Sequence, residues 1–380
     1  MSGAYWGPAD RTATPLAQTG PVDPKRLQTV ITAELARRRA ELVTIDARLA
    51  PLADLLVEFV TAGGKRLRPE FLWCGWTAAA KDPGADDEPL LLVGAALELI
   101  QACALIHDDV IDRSESRRGR PSTHRAVAKA HAGAGLTGDP DHYGISAAVL
   151  LGDLALAWAD DLYVAGAGAL AAVDRSAPVW RSMRTEVLGG QLLDLLTSAS
   201  AAADPAQQAA DAMRVNRYKT AAYTVERPLQ LGAQLAGASD ATVSVLRAYG
   251  ADIGVAFQLR DDLLGVYGDP AVTGKPAGDD LLEGKRTLLL ATARAALQAE
   301  PELLSELDAG IGRPDGDPAR LAAIIAETGA VDVIERQIAE LVNSGLTVLD
   351  RLDDTGRPVI TADARKRLGR LALAATARRS

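Results

Sequence analysis

The segment that most restricts the fold is residues 90–112. Leu92, Ala95, Ala96, Leu99, Cys103 and Ile106 recur at spacings of three and four, which predicts an amphipathic helix. A second stripe on the same segment runs through Glu98, Gln101, Leu105, Asp108 and Asp112. It is polar at a depth where a purely structural helix would be apolar. At about 3.6 residues per turn, Asp108 and Asp112 fall on one face, one turn apart, with Asp109 beside them. Two like charges so placed repel unless a cation sits between them, and hard carboxylate oxygens of this kind suit Mg²⁺. An exposed acidic helix end is the bland alternative for so short a motif.

The rest of the chain extends the helical pattern. Helices are predicted over 26–49, 69–80, 145–165, 178–198, 207–237, 240–267, 287–298, 319–327, 329–352 and 361–376. Pro69 suits a first helical turn. Gly63 and Gly64, and residues 82–89, 132–143 and 268–286, read as loops; Asp86, Asp87 and Glu88 belong to solvent. No clear strand pair and no interdomain linker are visible. Ala and Leu dominate while aromatics are only 4%, a mix that favours helices over strands. The expectation is an all-α protein with a leader over 1–24 and one large helical domain over 25–380.

A net charge of −9 makes the chain a poor general ligand for nucleic acid, whose phosphates reward Lys and Arg. Cys74 and Cys103 lie in apolar stretches and read as buried free thiols of a cytoplasmic protein. The leader lacks the apolar core of a secretory signal. The run from Leu90 to Ile106, broken by Glu98 and Gln101, reads as too short and too polar for a membrane span.

A second acidic pair gives the first a context. Gly254, Gln258, Asp261 and Gly265 share one helical face, with Asp262 alongside. Two helices that each turn an acidic pair to a common space can hold Mg²⁺, which keeps waters and shares its shell with substrate phosphates. The predicted ligand is therefore a diphosphate. Counter-charge is at hand in Gly63-Gly64-Lys65-Arg66-Leu67-Arg68-Pro69 and in Arg117-Arg118-Gly119-Arg120-Pro121. Glycines let backbone approach an anion, and arginine forks match phosphate oxygens. Lys219-Thr220, Lys275 and Lys285-Arg286 are weaker basic signals. Asp160-Asp161, on a helix without a basic companion, and Asp353-Asp354, near a turn, read as structural, as does His107 at its helix end. His124, His131 and His142 are dispersed.

Taken together, the ordered blocks GGKRLRP (63–69), LIHDDVIDRSESRRGRP (105–121), GISAAVLLGDLAL (144–156), GGQLLD (189–194), YKTAAYT (218–224), FQLRDD (257–262) and GDPAVTGKPAGDDLLEGKRT (268–287) resemble the trans-isoprenyl diphosphate synthase (polyprenyl synthetase) family. The flavour is most similar to its actinobacterial geranylgeranyl diphosphate synthases. The resemblance implies a helical bundle of the isoprenoid synthase type with a central cavity, a homodimer, and head-to-tail 1′–4 condensation of isopentenyl diphosphate with an allylic diphosphate. By position it implies that Asp108, Asp112 and Asp261 ligate Mg²⁺, supported by Asp109 and Asp262. Arg117, Lys219 and Lys275 would hold the allylic diphosphate, and Lys65, Arg68 and Arg118 isopentenyl diphosphate. Gln101 stands where relatives often carry His. Thr220 and Gln258 would lie along the reacting allyl group, and Asp279 and Lys285 would close a loop over the phosphates.

One residue departs from the family pattern: the second motif ends in Gly265 where Asp is usual. Cys103 and Ala104, the fifth and fourth residues before Asp108, are small where farnesyl-forming relatives carry aromatics, so a product of geranylgeranyl length or somewhat longer is expected. Two other readings share parts of the pattern. A class I terpene cyclase shares the helical scaffold and an Asp-rich motif but has no second diphosphate for the 63–69 cluster to grip; a non-catalytic subunit of a heteromeric synthase usually loses its acidic motifs, of which the first here is whole and the second partly degraded.

Overall fold

The computed structural model describes residues 23–79, 87–117, 119–200, 204–269 and 277–376. The expected leader up to residue 22, Asp86, Arg118 and Lys275 lie outside the described residues. The chain is built almost wholly of helices. They are α1 (Pro24–Ile45), α2 (Ala50–Thr61), α3 (Leu67–Ala79), α4 (Glu88–Ile111), α5 (Thr123–Gly133), α6 (Pro140–Ala169), α7 (Val173–Ala199) and α8 (Pro205–Val215), then a π-helix over Asn216–Glu226. After it come α9 (Arg227–Leu235), α10 (Asp240–Tyr267), a single turn α11 (Asp279–Leu282), α12 (Leu288–Ala296), α13 (Pro301–Gly310), α14 (Pro318–Glu327), α15 (Ala330–Val348) and α16 (Ala362–Thr376).

Several helices start on an Asp-Pro pair. Asp23, Asp139, Asp204 and Asp317 each accept a hydrogen bond from a backbone N–H of the first turn, and Pro24, Pro140, Pro205 and Pro318 follow them. The carboxylate satisfies an orphan donor and proline needs none there. This signal sets the start of α6 at Pro140, five residues before the predicted helix. Helices α2, α5 and α13 fall outside the predicted set. In α2 the buried positions Ala53, Leu56 and Val60 do recur at three and four.

Two further expectations change. A two-residue hairpin pairs Ser116–Arg117 with Arg120–Pro121 directly after the first acidic motif. And α4, at 24 residues, has the length and hydropathy of a membrane span, against the sequence expectation, although 72% of that window is buried inside the bundle.

Helix α4 is the hub of the largest core cluster. Leu91, Ala95, Leu99, Ala102 and Ile106 meet α1, α2, α6 and α7 there. Helix α10 anchors the other half, burying Val255, Leu259, Leu263 and Val266 against α12 to α15, and Leu246, Tyr249 and Ile253 against α3, α9 and α16. The π-helix packs between α7 and α10. It comes so close that a Cβ at Gly190 of α7 would lie 2.3 Å from the Lys219 nitrogen, and one at Gly254 of α10 would lie 2.8 Å from Ala221.

Candidate active site

That close packing decides where charge is placed. A π-helix spends an extra residue per turn, is rarer than the α form and clusters at functional sites. Predicted as part of one helix over 207–237, the segment is instead a π-helix that glycines on both sides allow to pack closely, and it turns two polar residues to opposite neighbours. Lys219 Nζ stands 3.2 Å from Asp108 Oδ1 and 2.6 Å from Asp194 Oδ2. Asn216 Nδ2 donates to Asp262 Oδ2 at 3.3 Å. One short helix thus touches both acidic motifs.

On the first motif, Arg117 donates from Nε to Asp109 Oδ1 at 2.6 Å and from Nη2 to Asp108 Oδ2 at 3.1 Å. Gln191 Nε2 donates to Asp108 Oδ1 at 3.3 Å. Asp109 is fully buried and anchors Arg117 from beneath. Burial pushes the Asp108 carboxyl up, but Lys219, Arg117 and Lys285 together hold it below the usual carboxylate range. Asp112 caps the helix at its exposed end; loss of hydration and the Asp108 charge raise it to about 6.

The second motif is built differently. Asp262 is buried, and burial raises it to about 7, with Asp280 and Asp261 adding to the rise. Its partners are neutral amides, Asn216 and Gln258, whose Nε2 donates to Oδ1 at 2.7 Å. Asp261 is half-buried on the adjoining face. Gln258, expected along the reacting group, therefore gives its amide hydrogen to Asp262. Thr220, half-buried, follows Lys219 on the π-helix.

Lys285 closes the ring. Its Nζ lies 2.5 Å from Asp280 Oδ1 and 3.0 Å from Glu283 Oε2, and these carboxylates raise its pKa although burial opposes them. Its charge in turn helps to lower the Asp108 carboxyl and opposes the rise at Asp112. The buried carboxylate of the 279–280 pair is Asp280; Asp279, singled out from the sequence, is half-buried.

The 63–69 cluster divides its labour. Arg66 pairs with the buried Glu98 and donates to the Val60 carbonyl at 2.8 Å, so it locks the loop. Arg68 is buried, donates to Thr224 Oγ1 at 2.8 Å and lies 4.1 Å over the Tyr223 ring. Lys65 is half-buried. Gln101 lines a cleft with Phe59, Gly63, Glu98 and Leu105.

Ala104 lies one turn before Asp108 and packs, half-buried, on the main core. Cys103 is buried, its thiol pushed up to about 12 by burial, with Sγ 3.7 Å from His107 Nδ1. His107 Nε2 lies 3.0 Å from the Val149 carbonyl, against Gly152, a contact between α4 and α6. Asp160 and Asp161 do have basic companions, Arg184 and Arg38, and Trp180 also donates to Asp160. Asp353 accepts from Thr355 and Arg357 in its own turn.

Sequence reasoning passed over Asp194, Gln191, Asn216 and Asp280. Gln191 and Asp194 stood in the quoted 189–194 block, and their three-residue spacing on a helix was the available signal. Among the described residues no group of three or more His, Cys, Asp or Glu is close enough to hold an ion alone. The donor set still suits a hard cation that completes its shell with water and phosphate. The Lys219 ammonium already stands against Asp108 where such a cation is wanted.

The sequence model of the polyprenyl synthetase family matches residues 50–328. A geranylfarnesyl diphosphate synthase of Aeropyrum pernix is 32% identical over 84% of this chain and 92% of its own length. A geranylgeranyl diphosphate synthase of Mycobacterium tuberculosis is 32% identical over 76% of this chain and 75% of its own. The crystal structure of a geranylgeranyl pyrophosphate synthase from Corynebacterium glutamicum, complexed with isoprenyl diphosphate and magnesium, is 45% identical. It superposes with a TM-score of 0.87 over 94% of this chain and 98% of that one. The all-α bundle is therefore the isoprenoid synthase fold, and the chain belongs to the polyprenyl synthetase family of prenyl-transferring enzymes.

Proposed function

We propose that this protein condenses isopentenyl diphosphate with an allylic diphosphate, head to tail and 1′–4, and releases geranylgeranyl diphosphate. The observation that carries the reading is the π-helix that contacts both Asp108 of α4 and Asp262 of α10, through Lys219 and Asn216.

In this reading Asp108, Asp112 and Asp261 hold Mg²⁺, which when bound neutralises charge on the departing diphosphate. Arg117 and Lys219 keep Asp108 ionised and in place, and Lys219 is near enough to donate to a diphosphate oxygen when one arrives. Lys275 and Arg118 belong by sequence to the same phosphate-gripping set. Lys65, Arg68 and Gln101 hold isopentenyl diphosphate at the α2–α3 loop. Lys285, with Asp279 and Asp280 of the short helix before it, covers the phosphates. Fixed cations and dipoles of this kind stabilise a developing anion without reorganising, which is the main catalytic requirement here. The double bond of isopentenyl diphosphate attacks the allylic cation, and the proton lost goes to the released pyrophosphate. Thr220 lies along the allyl group.

Cys103 and Ala104 set the length. Both are small, and a bulky ring in place of either would fill the space beside α4, so Cys103→Phe or Ala104→Phe shortens the product. A homodimer, a cytoplasmic location and one catalytic domain over 25–380 complete the proposal. The dimer is supported by exposed apolar side chains, Val149 and Leu150 on α6 and Leu188, Leu192, Leu195 and Leu196 on α7. Light scattering tests it: the wild type runs as a dimer and Leu192→Glu as a monomer.

Incubation with isopentenyl diphosphate, Mg²⁺ and dimethylallyl, geranyl or farnesyl diphosphate, followed by product analysis, tests the reaction. The expected product is geranylgeranyl diphosphate. A product that stops at farnesyl refutes the chain-length reading, and no condensation at all refutes the activity.

A further inference from the structure

Wide π turns mostly come singly, as bulges in α-helices. Here they run for 11 residues, Asn216–Glu226. Room for them is left by Gly190, by Gly254 and by a third glycine, Gly250 of α10, where a Cβ would lie 2.6 Å from Glu226 Cα. Room permits the wide turn without selecting it. An ion pair inside the segment does select it. Arg217 Nη2 pairs with Glu226 Oε2, a residue nine positions on. An α-helix of about 3.6 residues per turn would set these two about two and a half turns apart, on opposite faces. A π turn takes about one residue more, so the same stretch makes about two turns and brings both side chains to one face.

Glu226 is 1% exposed, and a charge buried so deeply requires a partner. It has two. Arg217 reaches it from the far end of the π-helix, and Arg247 of α10 donates from Nε to Oε1 at 3.0 Å. Arg247 thereby ties the carboxylate to α10, and Arg217 ties the start of the π-helix to the carboxylate. Beside them Arg227 N donates to the Ala222 carbonyl, which closes the last wide turn.

We propose that Arg217 and Glu226 are positioning residues whose ion pair holds the π form and so aims Lys219 at Asp108. The inference rests on the role given to Lys219 above. With Glu226 fixed to α10, relaxation of the segment to an α-helix would swing Lys219 by roughly a third of a turn. Its ammonium would then leave both Asp108 and Asp194.

Arg217→Met removes the pair while Arg247 still neutralises Glu226, so the fold should survive. In pyrophosphate release from farnesyl and isopentenyl diphosphates with Mg²⁺, it should lower kcat about 10-fold, within the limit of about 10²-fold that a misplaced group costs. On a Lys219→Ala background the same substitution should cost less than about twofold more, because it acts through that lysine. Arg217→Lys keeps the cation and should recover most of the loss. Arg247→Met breaks the other, partly exposed half of the cluster and should stay within about twofold of wild type. Hydrogen exchange read by mass spectrometry needs no turnover: amides of 216–226 should exchange about 10-fold faster in Arg217→Met and near the wild-type rate in Arg217→Lys.

The proposal is overturned if Arg217→Met keeps wild-type kcat or leaves exchange over 216–226 unchanged. It is also overturned if Arg247→Met costs as much, or if the losses from Arg217→Met and Lys219→Ala simply multiply. Wild-type protein that releases no pyrophosphate would instead refute the underlying catalytic reading, and this inference with it.

Discussion

The two acidic helix ends share the letters Asp-Asp and little else. At the end of α4, Asp108 faces two cations, Lys219 and Arg117, and is held below the usual carboxylate range. In α10, Asp262 is buried among the amides of Asn216 and Gln258 and rises to about 7. The first site stores its negative charge ready-made against neighbouring side chains. The second carries its charge only partly at neutral pH, and a cation arriving there must draw the proton off. The shared Asp-Asp pair thus gives unequal sites, because its partners come from different elements: a hairpin arginine and a π-helix lysine on one side, and on the other an asparagine of that π-helix with a glutamine of α10 itself.

Four changes sharpen or break that contrast. Asp108→Asn should cost most, on the order of 10³-fold in kcat, against about 10-fold for Asp262→Asn, since removing a group that faces developing charge costs about 10²–10³-fold. Equal losses in steady-state assays would erase the asymmetry. Lys219→Ala should lose about 10²-fold in kcat, because the cation serves Asp108 and the departing diphosphate together. If only the melting temperature changed, Lys219 would be structural.

The third test is pH. Asp262 keeps its proton in the folded protein up to about 7, while the unfolded chain releases it near the ordinary 3.8. Between those values the folded state binds more protons, so raising the pH lowers stability. Thermal melts of metal-free protein should show the wild type losing stability from pH 4 to 7 relative to Asp262→Asn. Parallel curves would place the titration elsewhere. The smallest effect belongs to Asp160→Asn, which still accepts from Trp180 and pairs only with the partly exposed Arg184. Activity should stay within about twofold, since exposed pairs contribute about 0–1 kcal/mol; a larger loss would bring α6 into the site.

Much of this was legible in the sequence. The stripe from Gln101 to Asp112 named the face of α4 that carries Asp108 to Lys219 and Gln191, because helical spacing is local information. The family blocks named Lys219, Asp261 and Lys285. The π-helix was not legible: Asn216–Glu226 lies close against α7 and α10 where Gly190 and Gly254 leave room for its backbone, a tertiary setting with no local pattern. Asp280 was missed for the same reason, since Asp279 and Asp280 are alike in sequence and only packing against Gly265 tells them apart. Arg66, alike to Arg68 on paper, is committed to Glu98, a partner 32 residues away.

The most direct test of the central claim is pyrophosphate release from farnesyl diphosphate, measured with and without isopentenyl diphosphate in Mg²⁺ and in a chelator. Release that requires both isopentenyl diphosphate and Mg²⁺, with geranylgeranyl diphosphate formed in equal amount, is the predicted result. Release that proceeds without isopentenyl diphosphate, or no release under any condition, would contradict it.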